Sequence, residues 1–362
     1  MKTKYLIAAM LLSNSLFGSV PKAPSPVCVD ENCTTSPPPL QGSKKWHPGH
    51  YLKTQGESTE GGYQESVNSQ LGRTLNSDLI RGAFITYAWG TLEPTNGKYN
   101  WTPVYEHLNW MQSHGKYLIV DLTYKNFGSH GIGTLVPSDL RGSVVAGTSS
   151  NAAYIAALWR QAEMDRFIRF LQAFATEFDS NPALELVRTT ESAPSFQNGA
   201  PADYEASVYA AQIKRMYAAM ASSFVRTNAT ASVNSLNDNA AGLIEAAYQL
   251  GMGRSSPDAI DDNGARIFRG EQVQGQGTTV RDYRGLMPHE AIASQPTLAG
   301  KEGIRAPIEV VRWAVTNKVT HVAWVASLSG QSSWAEILNA IKQPESSLWA
   351  VCPKNYQACE SQ

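Results

Sequence analysis

The chain has 362 residues and a formal net charge of −1, with 42% hydrophobic and 17% charged residues. This composition can bury a large core as one α/β domain or two small ones. We expect no nucleic-acid partner, because phosphate binding needs clustered Lys and Arg and this sequence has no such cluster. Its nine Trp and fifteen Tyr suit either core packing or stacking on sugar rings.

The chain begins with a predicted signal peptide, residues 1–22, and a tether, residues 23–44. Lys2 and Lys4 precede an apolar stretch, Tyr5 to Phe17, that is too short to span a bilayer. A buried N-terminal helix is the alternative interpretation. The tether is rich in Pro, Ser and Thr, which predicts an extended, weakly folded segment. We therefore expect a secreted or periplasmic protein with no membrane span.

The four cysteines lie near the two ends of the chain, at Cys28, Cys33, Cys352 and Cys359. Two local loops, Cys28–Cys33 and Cys352–Cys359, are one possible pairing, and a staple between the terminal segments is the other. Either pairing fits an oxidising compartment. The spacings do not match the usual CxxC pairs of a zinc site.

From residue 45 onward, short apolar runs alternate with segments of helical period. The predicted strands are His50–Lys53, Gly82–Tyr87, Tyr117–Leu122, Leu184–Thr189, Thr230–Asn234, Leu250–Arg254, His289–Ser294 and His321–Val325. The predicted helices are Val104–His114, Ala153–Phe178, Tyr204–Phe224, Ala240–Gln249, Pro307–Asn317 and Trp334–Ile341.

Eight strands alternating with helices predict a single-domain α/β protein, a (β/α)8 TIM barrel over residues 45–362. A doubly wound open sheet is the competing fold, and it usually carries a Gly-rich phosphate loop after its first strand. The segment Gln55 to Tyr63, which follows the first predicted strand, contains neither GxGxxG nor a Walker pattern. The sequence therefore favours the barrel.

In such a barrel the active site lies at the carboxyl ends of the strands, where Glu191 follows strand four. Glycosidic cleavage needs a carboxylic acid as proton donor, and Glu191 is the first candidate. A cap or an ion pair with Arg188 is the structural alternative. Gln295 occupies the rim of strand seven, which would turn Glu290 outward by strand alternation. Asp258, after strand six, is therefore the second catalytic candidate, at a separation that suits an inverting pair.

The remaining strand-end residues are aromatic, amide or acidic side chains, a mixture that suits a polyol substrate. The alternative interpretation is that the aromatic side chains among them pack in the core. The sequence has no HExxH pair and no GxSxG, so we expect neither a metal nor a cofactor. The predicted substrate-binding residues are His50, Tyr87, Trp89, Asp121, Tyr124, Asn234, Asn237, Gln295 and Trp324.

One segment resembles the loop after strand two in the clan of TIM-barrel glycoside hydrolases that includes cellulases and β-galactosidases. It reads Trp89-x-x-Leu92-Glu93-Pro94-x-x-Gly97-x-Tyr99-Asn100-Trp101. Within this clan the chain resembles little-characterised secreted bacterial proteins. The corresponding strand ends are Asp121 with Tyr124, Glu191-Ser192-Ala193, Pro257-Asp258, Pro288 to Gln295, and Trp324.

The resemblance implies a barrel from about Trp46 to Ile341, carbohydrate hydrolysis, and Glu191 as acid/base residue. Two positions depart from the clan pattern. Gly90 stands where many relatives carry Arg, and the strand-seven nucleophile of the clan has no Glu at its expected position here. The resemblance therefore leaves the nucleophile open.

The leading hypothesis is a secreted glycoside hydrolase that cleaves O-glycosidic bonds of a polysaccharide or oligosaccharide, acting within the chain of its substrate and as a monomer. A carbohydrate-binding barrel without catalysis is the first alternative, motivated by Gln295. A polysaccharide lyase with Tyr124 or a His as base is the second. Reducing-sugar release separates hydrolysis from binding, and the absorbance of an unsaturated product indicates a lyase.

Overall fold

Eight parallel strands form a closed barrel in the computed structural model, which confirms the predicted (β/α)8 fold. The structure describes residues 43–54, 67–126, 131–146, 154–194, 196, 199–234, 236–293, 306–325 and 333–361. The predicted signal peptide, Cys28, Cys33 and Gln295 lie outside these residues. The strands are β1 Gly49–Lys53, β2 Ile80–Ala88, β3 Tyr117–Thr123, β4 Leu184–Thr189, β5 Asn228–Ser232, β6 Gly253–Ser256, β7 His289–Ala293 and β8 His321–Val325.

Helices connect the strands and cover the outside of the barrel. Within the described residues, no helix is both long and apolar enough to cross a membrane. The helices are α1 Val67–Leu71, α2 Trp89–Leu92, α3 Thr102–Ser113, α4 Gln161–Phe178, α5 Ala206–Ser223, α6 Ala240–Gln249, α7 Asn263–Phe268, α8 Pro307–Thr316 and α9 Trp334–Ile341.

Several element bounds differ from the sequence prediction, among them those of α4, β5 and β6. α4 begins at Gln161 rather than Ala153, because Tyr154–Ala156 pairs antiparallel with Val144–Ala146. β5 and β6 also lie elsewhere than predicted, each two or more residues from the expected start. Both strands are fully buried but polar, so an apolar run does not mark them.

The barrel wall separates two apolar layers, because successive strand side chains point to opposite faces. Inside, Phe84, Ile119, Leu186 and Ala323 belong to one packed cluster. Outside, Val322 and Trp324 of β8 pack with residues of α8 and α9. The alternation of β8 therefore places Ala323 inward and Trp324 outward.

A buried acid closes the amino-terminal end of the barrel. Glu185 has no exposed surface and contacts His47 Nδ1 at 2.7 Å and His321 Nε2 at 3.0 Å. Asn228 Nδ2 donates to the same carboxylate at 3.0 Å. Burial alone raises the pKa of Glu185, but the hydrogen bonds from His321 and His47 outweigh it and lower the pKa to about 2.

This cluster predicts an acid-sensitive stability. The pKa of Glu185 is lower in the folded chain than its ordinary value of 4.5, so its stabilisation is present above that value and is lost as the pH falls toward 2. Between about pH 6 and about pH 3 we expect a loss of about 2 kcal/mol that Glu185→Gln does not show. Urea unfolding of both proteins at several pH values measures this difference, and parallel pH profiles would contradict it.

A disulfide and a short strand pair hold the C-terminal segment in place. Cys352 and Cys359 form a disulfide, so the local pairing is correct for these two residues and the staple between the chain ends is wrong for them. Cys359–Glu360 also pairs in parallel with Lys44–Lys45, next to the amino-terminal end of the barrel.

Candidate active site

Three strand ends bring polar side chains together around Glu191, which follows β4. Lys125, after β3, donates from Nζ to Glu191 Oε1 at 2.7 Å and to the Ala193 carbonyl at 2.7 Å. Asn234, after β5, donates from Nδ2 to Glu191 Oε2 at 2.6 Å. Both carboxylate oxygens of Glu191 therefore accept hydrogen bonds from neighbouring strand ends. The predicted neighbours Glu191 and Asn234 thus share one site at the carboxyl end of the barrel.

The backbone next to Glu191 is fixed to the end of β5. The Ser192 amide donates to the Ser232 carbonyl at 3.0 Å, and the Asn234 amide donates to Ser192 Oγ at 3.0 Å. The Glu191 side chain remains 13% exposed, whereas that of Lys125 is 1% exposed. The backbone next to Glu191 is therefore held in place by hydrogen bonds, and the Glu191 carboxylate is accessible to solvent.

A guanidinium lies inside the barrel below this site. Arg188 of β4 donates from Nη1 to Glu290 Oε2 at 2.8 Å and from Nη2 to Ser232 Oγ at 2.7 Å. Its Nε lies 3.4 Å from Asp121 Oδ1, and Thr86 Oγ1 donates to Asp121 Oδ2 at 3.3 Å. Predicted substrate-binding Asp121 therefore lies on the inner face of the barrel, with its side chain 11% exposed.

Glu290 lies inside the barrel, which corrects the expectation that it points outward. Its side chain has no exposed surface and extends from β7 to Arg188 of β4. Burial raises the pKa of Glu290, and the positive charge of Arg188 opposes that effect. Because solvent does not reach this carboxyl group, it functions as a partner of Arg188 in the barrel interior.

A second buried cation lies behind the loop that follows β6. Arg254 has no exposed surface, and its Nη1 contacts His289 Nε2 at 2.8 Å and the Ser256 hydroxyl. Its Nη2 lies 3.6 Å from Asp262 Oδ1. Burial lowers the pKa of Arg254 to about 10, so this side chain is still charged at neutral pH. The Arg254 charge therefore faces the carboxylate of Asp262.

Two other predicted site residues, Asp258 and Asn237, lie on loops around the carboxyl end of the barrel. A third, Gln295, lies outside the described residues. Asp258 is half-buried on the loop after β6. Asn237 is exposed in the turn before α6, where its backbone has a φ of 24°. Among the described residues, no group of three or more His, Cys, Asp or Glu side chains could hold a metal ion.

The predicted aromatic platforms are packed in the outer layer, away from the inner face of the barrel. Tyr87 has no exposed surface and its hydroxyl contacts His107 Nδ1 of α3 at 2.6 Å. Trp89 packs on Phe167 of α4 at 4.9 Å between ring centroids, and Tyr124 packs on the same ring at 5.2 Å. The structure thus gives these rings a packing role and does not offer their faces to a ligand.

His50 and Trp324 contact each other on the outside of the barrel. Trp324 Nε1 donates to His50 Nδ1 at 3.1 Å, and both side chains are buried. Burial lowers the pKa of His50 to about 4, so the imidazole is neutral and accepts this hydrogen bond at neutral pH. The pair joins β1 to β8 and does not reach the strand-end site.

The departure at Gly90 has a steric explanation. A Cβ atom at this position would lie 2.2 Å from the Val136 carbonyl oxygen, so any side chain would displace that backbone. An Arg therefore has no room after Trp89.

Sequence reasoning did not assign roles to three polar residues of this region, namely Lys125 as partner of Glu191, Arg254 and Asp262. The signal for Arg254 is a charged residue within a strand, which indicates a buried ion pair or a functional site. The signal for Asp262 is its position directly before a helix that begins with Asn263-Gly264. That pattern indicates an N-cap but does not show where the carboxylate lies relative to Glu191.

The barrel is similar in structure to endo-glycoceramidase II from Rhodococcus sp. The lactosyl-enzyme intermediate of that protein superposes with a TM-score of 0.53 at 14% identity, over 83% of this chain and 80% of that chain. Its ganglioside GM3 complex gives a TM-score of 0.51 at 15% identity, over 82% and 78%. No protein-family model matches the chain, and no curated protein matches it.

At this identity the likeness establishes the fold. The chain is a (β/α)8 barrel of the kind on which these glycoside hydrolases are built, as the resemblance at the strand ends implied.

Proposed function

We propose that this protein is a glycoside hydrolase whose active site is the cluster of side chains around Glu191. The observation that carries the proposal is a solvent-accessible carboxylate at the carboxyl end of β4, held by donors from the two neighbouring strand ends. Glycoside hydrolysis uses a pair of carboxyl groups, and barrels of this type place their chemistry at that end. The structural neighbours named above are consistent with it.

The substrate is proposed to be a polysaccharide or oligosaccharide cleaved within its chain. Tyr99, in the segment between α2 and α3, is 37% exposed, and an exposed ring suits sugar stacking. Asp121 and Asn234 supply polar contacts for hydroxyl groups. Residues 1–22 are proposed to direct secretion or periplasmic export.

A carbohydrate-binding barrel without catalysis is the second candidate, and the contacts of Glu191 favour it. Lys125 Nζ donates to Glu191 Oε1 at 2.7 Å and Asn234 Nδ2 donates to Glu191 Oε2 at 2.6 Å, so both carboxylate oxygens are already engaged within the protein. Under this alternative the strand-end residues bind sugar hydroxyl groups and no bond is broken.

Incubation of the purified protein with a panel of polysaccharides and aryl glycosides tests the proposal. We expect new reducing ends from at least one substrate without absorbance from an unsaturated product. Binding of a glycan without any release would favour the binding barrel, and an unsaturated product would indicate a lyase. Either outcome contradicts the proposed function.

A further inference from the structure

Lys53, the last residue of β1, places an ammonium group inside the carboxyl end of the barrel. Tyr51 belongs to the packed cluster inside the barrel, so the alternation of β1 also turns Lys53 inward. The contacts agree, because Lys53 Nζ lies 4.8 Å from the centroid of the Phe84 ring and donates to Thr86 Oγ1 at 3.4 Å. The Lys53 side chain is half-buried.

Lys53 joins a polar layer inside the barrel that reaches from β1 to β4. Thr86 accepts from Lys53 and donates to Asp121 Oδ2 at 3.3 Å. Asp121 Oδ1 lies 3.4 Å from Arg188 Nε. The Arg188 guanidinium also contacts the Phe84 ring, with its Cζ 5.5 Å from the centroid. Four neighbouring strands therefore contribute one side chain each to this interior polar layer, and two of the four are cations.

Arg188 connects the interior polar layer to the candidate active site. Glu191 follows Arg188 by three residues, at the end of β4. Burial lowers the pKa of Arg188, but the negative charges of Glu290, Asp121 and Glu191 outweigh that effect and raise the pKa. The layer is therefore the floor of the site, and a ligand that reaches Glu191 from the carboxyl end of the barrel lies above it.

Lys53 differs from the other two cations of this region in its partners. Arg188 and Lys125 each contact a carboxylate oxygen, at 2.8 Å and 2.7 Å. Among the described residues, no carboxylate oxygen lies within 4.0 Å of Lys53 Nζ. An ammonium has three donor hydrogens, and a charge held away from water is usually paired with an acid. Lys53 therefore retains both charge and donors for a group that enters the barrel.

We propose that Lys53 binds an anionic substituent of the substrate, so that the site acts on acidic glycans, an assignment that rests on the proposed function. The substituent is the carboxylate of a uronate or the sulfate ester of a sulfated sugar. Both present oxygens that accept charge-assisted hydrogen bonds from an ammonium. The Asp121 carboxylate repels the same group, which directs the anion toward the β1 side of the floor.

A purely structural role for the Lys53 ammonium fits the contacts less well. The 3.4 Å contact with Thr86 is longer than the usual N–H···O hydrogen bond of about 2.7–3.2 Å, so it contributes little to stability. Asp121 is already held by Arg188 and Thr86.

Lys53→Met tests the assignment, because methionine keeps an unbranched apolar stem next to Phe84 and removes the charge. The substrates are two matched pairs, a polyuronide with its carboxyl-reduced form and a sulfated galactan with its desulfated form. We expect the wild-type protein to cleave the acidic member of one pair with a kcat/KM at least about tenfold higher than that of the neutral member. The pair that responds distinguishes a carboxylate from a sulfate.

The variant is expected to lose the preference and little else. For the acidic member we expect Lys53→Met to lower kcat/KM by about 10–100-fold, mainly through KM, and for the neutral member by less than about threefold. Lys53→Arg, which keeps the charge, should retain most of the preference. Lys342→Met, at an exposed position directly after α9, should retain all of it.

The outcomes separate this assignment from the proposed function. An equal loss on both members of a pair would mean a structural role for Lys53 and would overturn the assignment. A wild-type protein that prefers the neutral members would also overturn it and leave the hydrolase standing. An acidic glycan that binds through Lys53 without being cleaved would support the anion site and contradict the proposed function. A protein that neither cleaves nor binds any acidic glycan or neutral counterpart would overturn both.

Discussion

Replacing Glu191 by glutamine is expected to lower kcat/KM for glycan hydrolysis by about 10²–10⁴-fold, the range typical of a lost acid or base group. Glutamine has nearly the same size and still offers one carbonyl oxygen to Lys125 or Asn234. The second oxygen becomes an amide that cannot attack C1 or take a proton from water. The loss should therefore appear in kcat, with glycan binding retained.

Glu106→Gln is the matched control, because Glu106 is an exposed glutamate on α3, outside the barrel. Both variants are assayed on the substrate found in the panel, and glycan affinity is measured separately by calorimetry. Unchanged turnover in Glu191→Gln would remove this residue from the chemistry.

The second large effect is expected on stability, from Arg188→Met. Methionine fills a similar volume but leaves Glu290 buried without its charge partner. Removing one member of a buried ion pair typically costs about 3–5 kcal/mol. We expect the free energy of unfolding, measured in urea, to fall by about that amount, whereas Arg169→Met on the exposed surface of α4 should change it by less than about 0.5 kcal/mol.

A double variant distinguishes charge from packing. Adding Glu290→Met to Arg188→Met removes both charges, and replacement of a buried ion pair by apolar residues is often neutral. We therefore expect the double variant to be more stable than Arg188→Met but less stable than the wild-type protein, because Asp121 still lacks the Arg188 charge. A double variant that is less stable than Arg188→Met alone would show that Glu290 does not depend on Arg188.

The fold followed from the alternation of strands and helices, but the bounds of the polar strands did not. β5 reads Asn-Ala-Thr-Ala-Ser and β6 reads Gly-Arg-Ser-Ser, and neither has an apolar run. Their inward side chains satisfy each other instead, as in the 2.7 Å contact between Thr230 and Ser255 hydroxyls. Such pairing depends on strand register, which the sequence does not display.

The arrangement of the candidate site followed from the sequence only in part, for a related reason. Position after a strand was enough to bring Glu191 and Asn234 together. Which face a strand residue occupies depends on register, so Trp324 and His50 were grouped with the site although both point outward. The contact between Arg188 and Glu290 joins residues 102 positions apart, a separation that no local pattern reveals.

The most direct test of the central claim is a crystal structure of Glu191→Gln with an oligosaccharide that the wild-type protein cleaves. The account predicts that the intact glycan crosses the carboxyl end of the barrel, with the anomeric carbon of the scissile bond about 3–3.5 Å from the residue-191 side chain. A glycan bound at the barrel but without contact to residue 191 would contradict it.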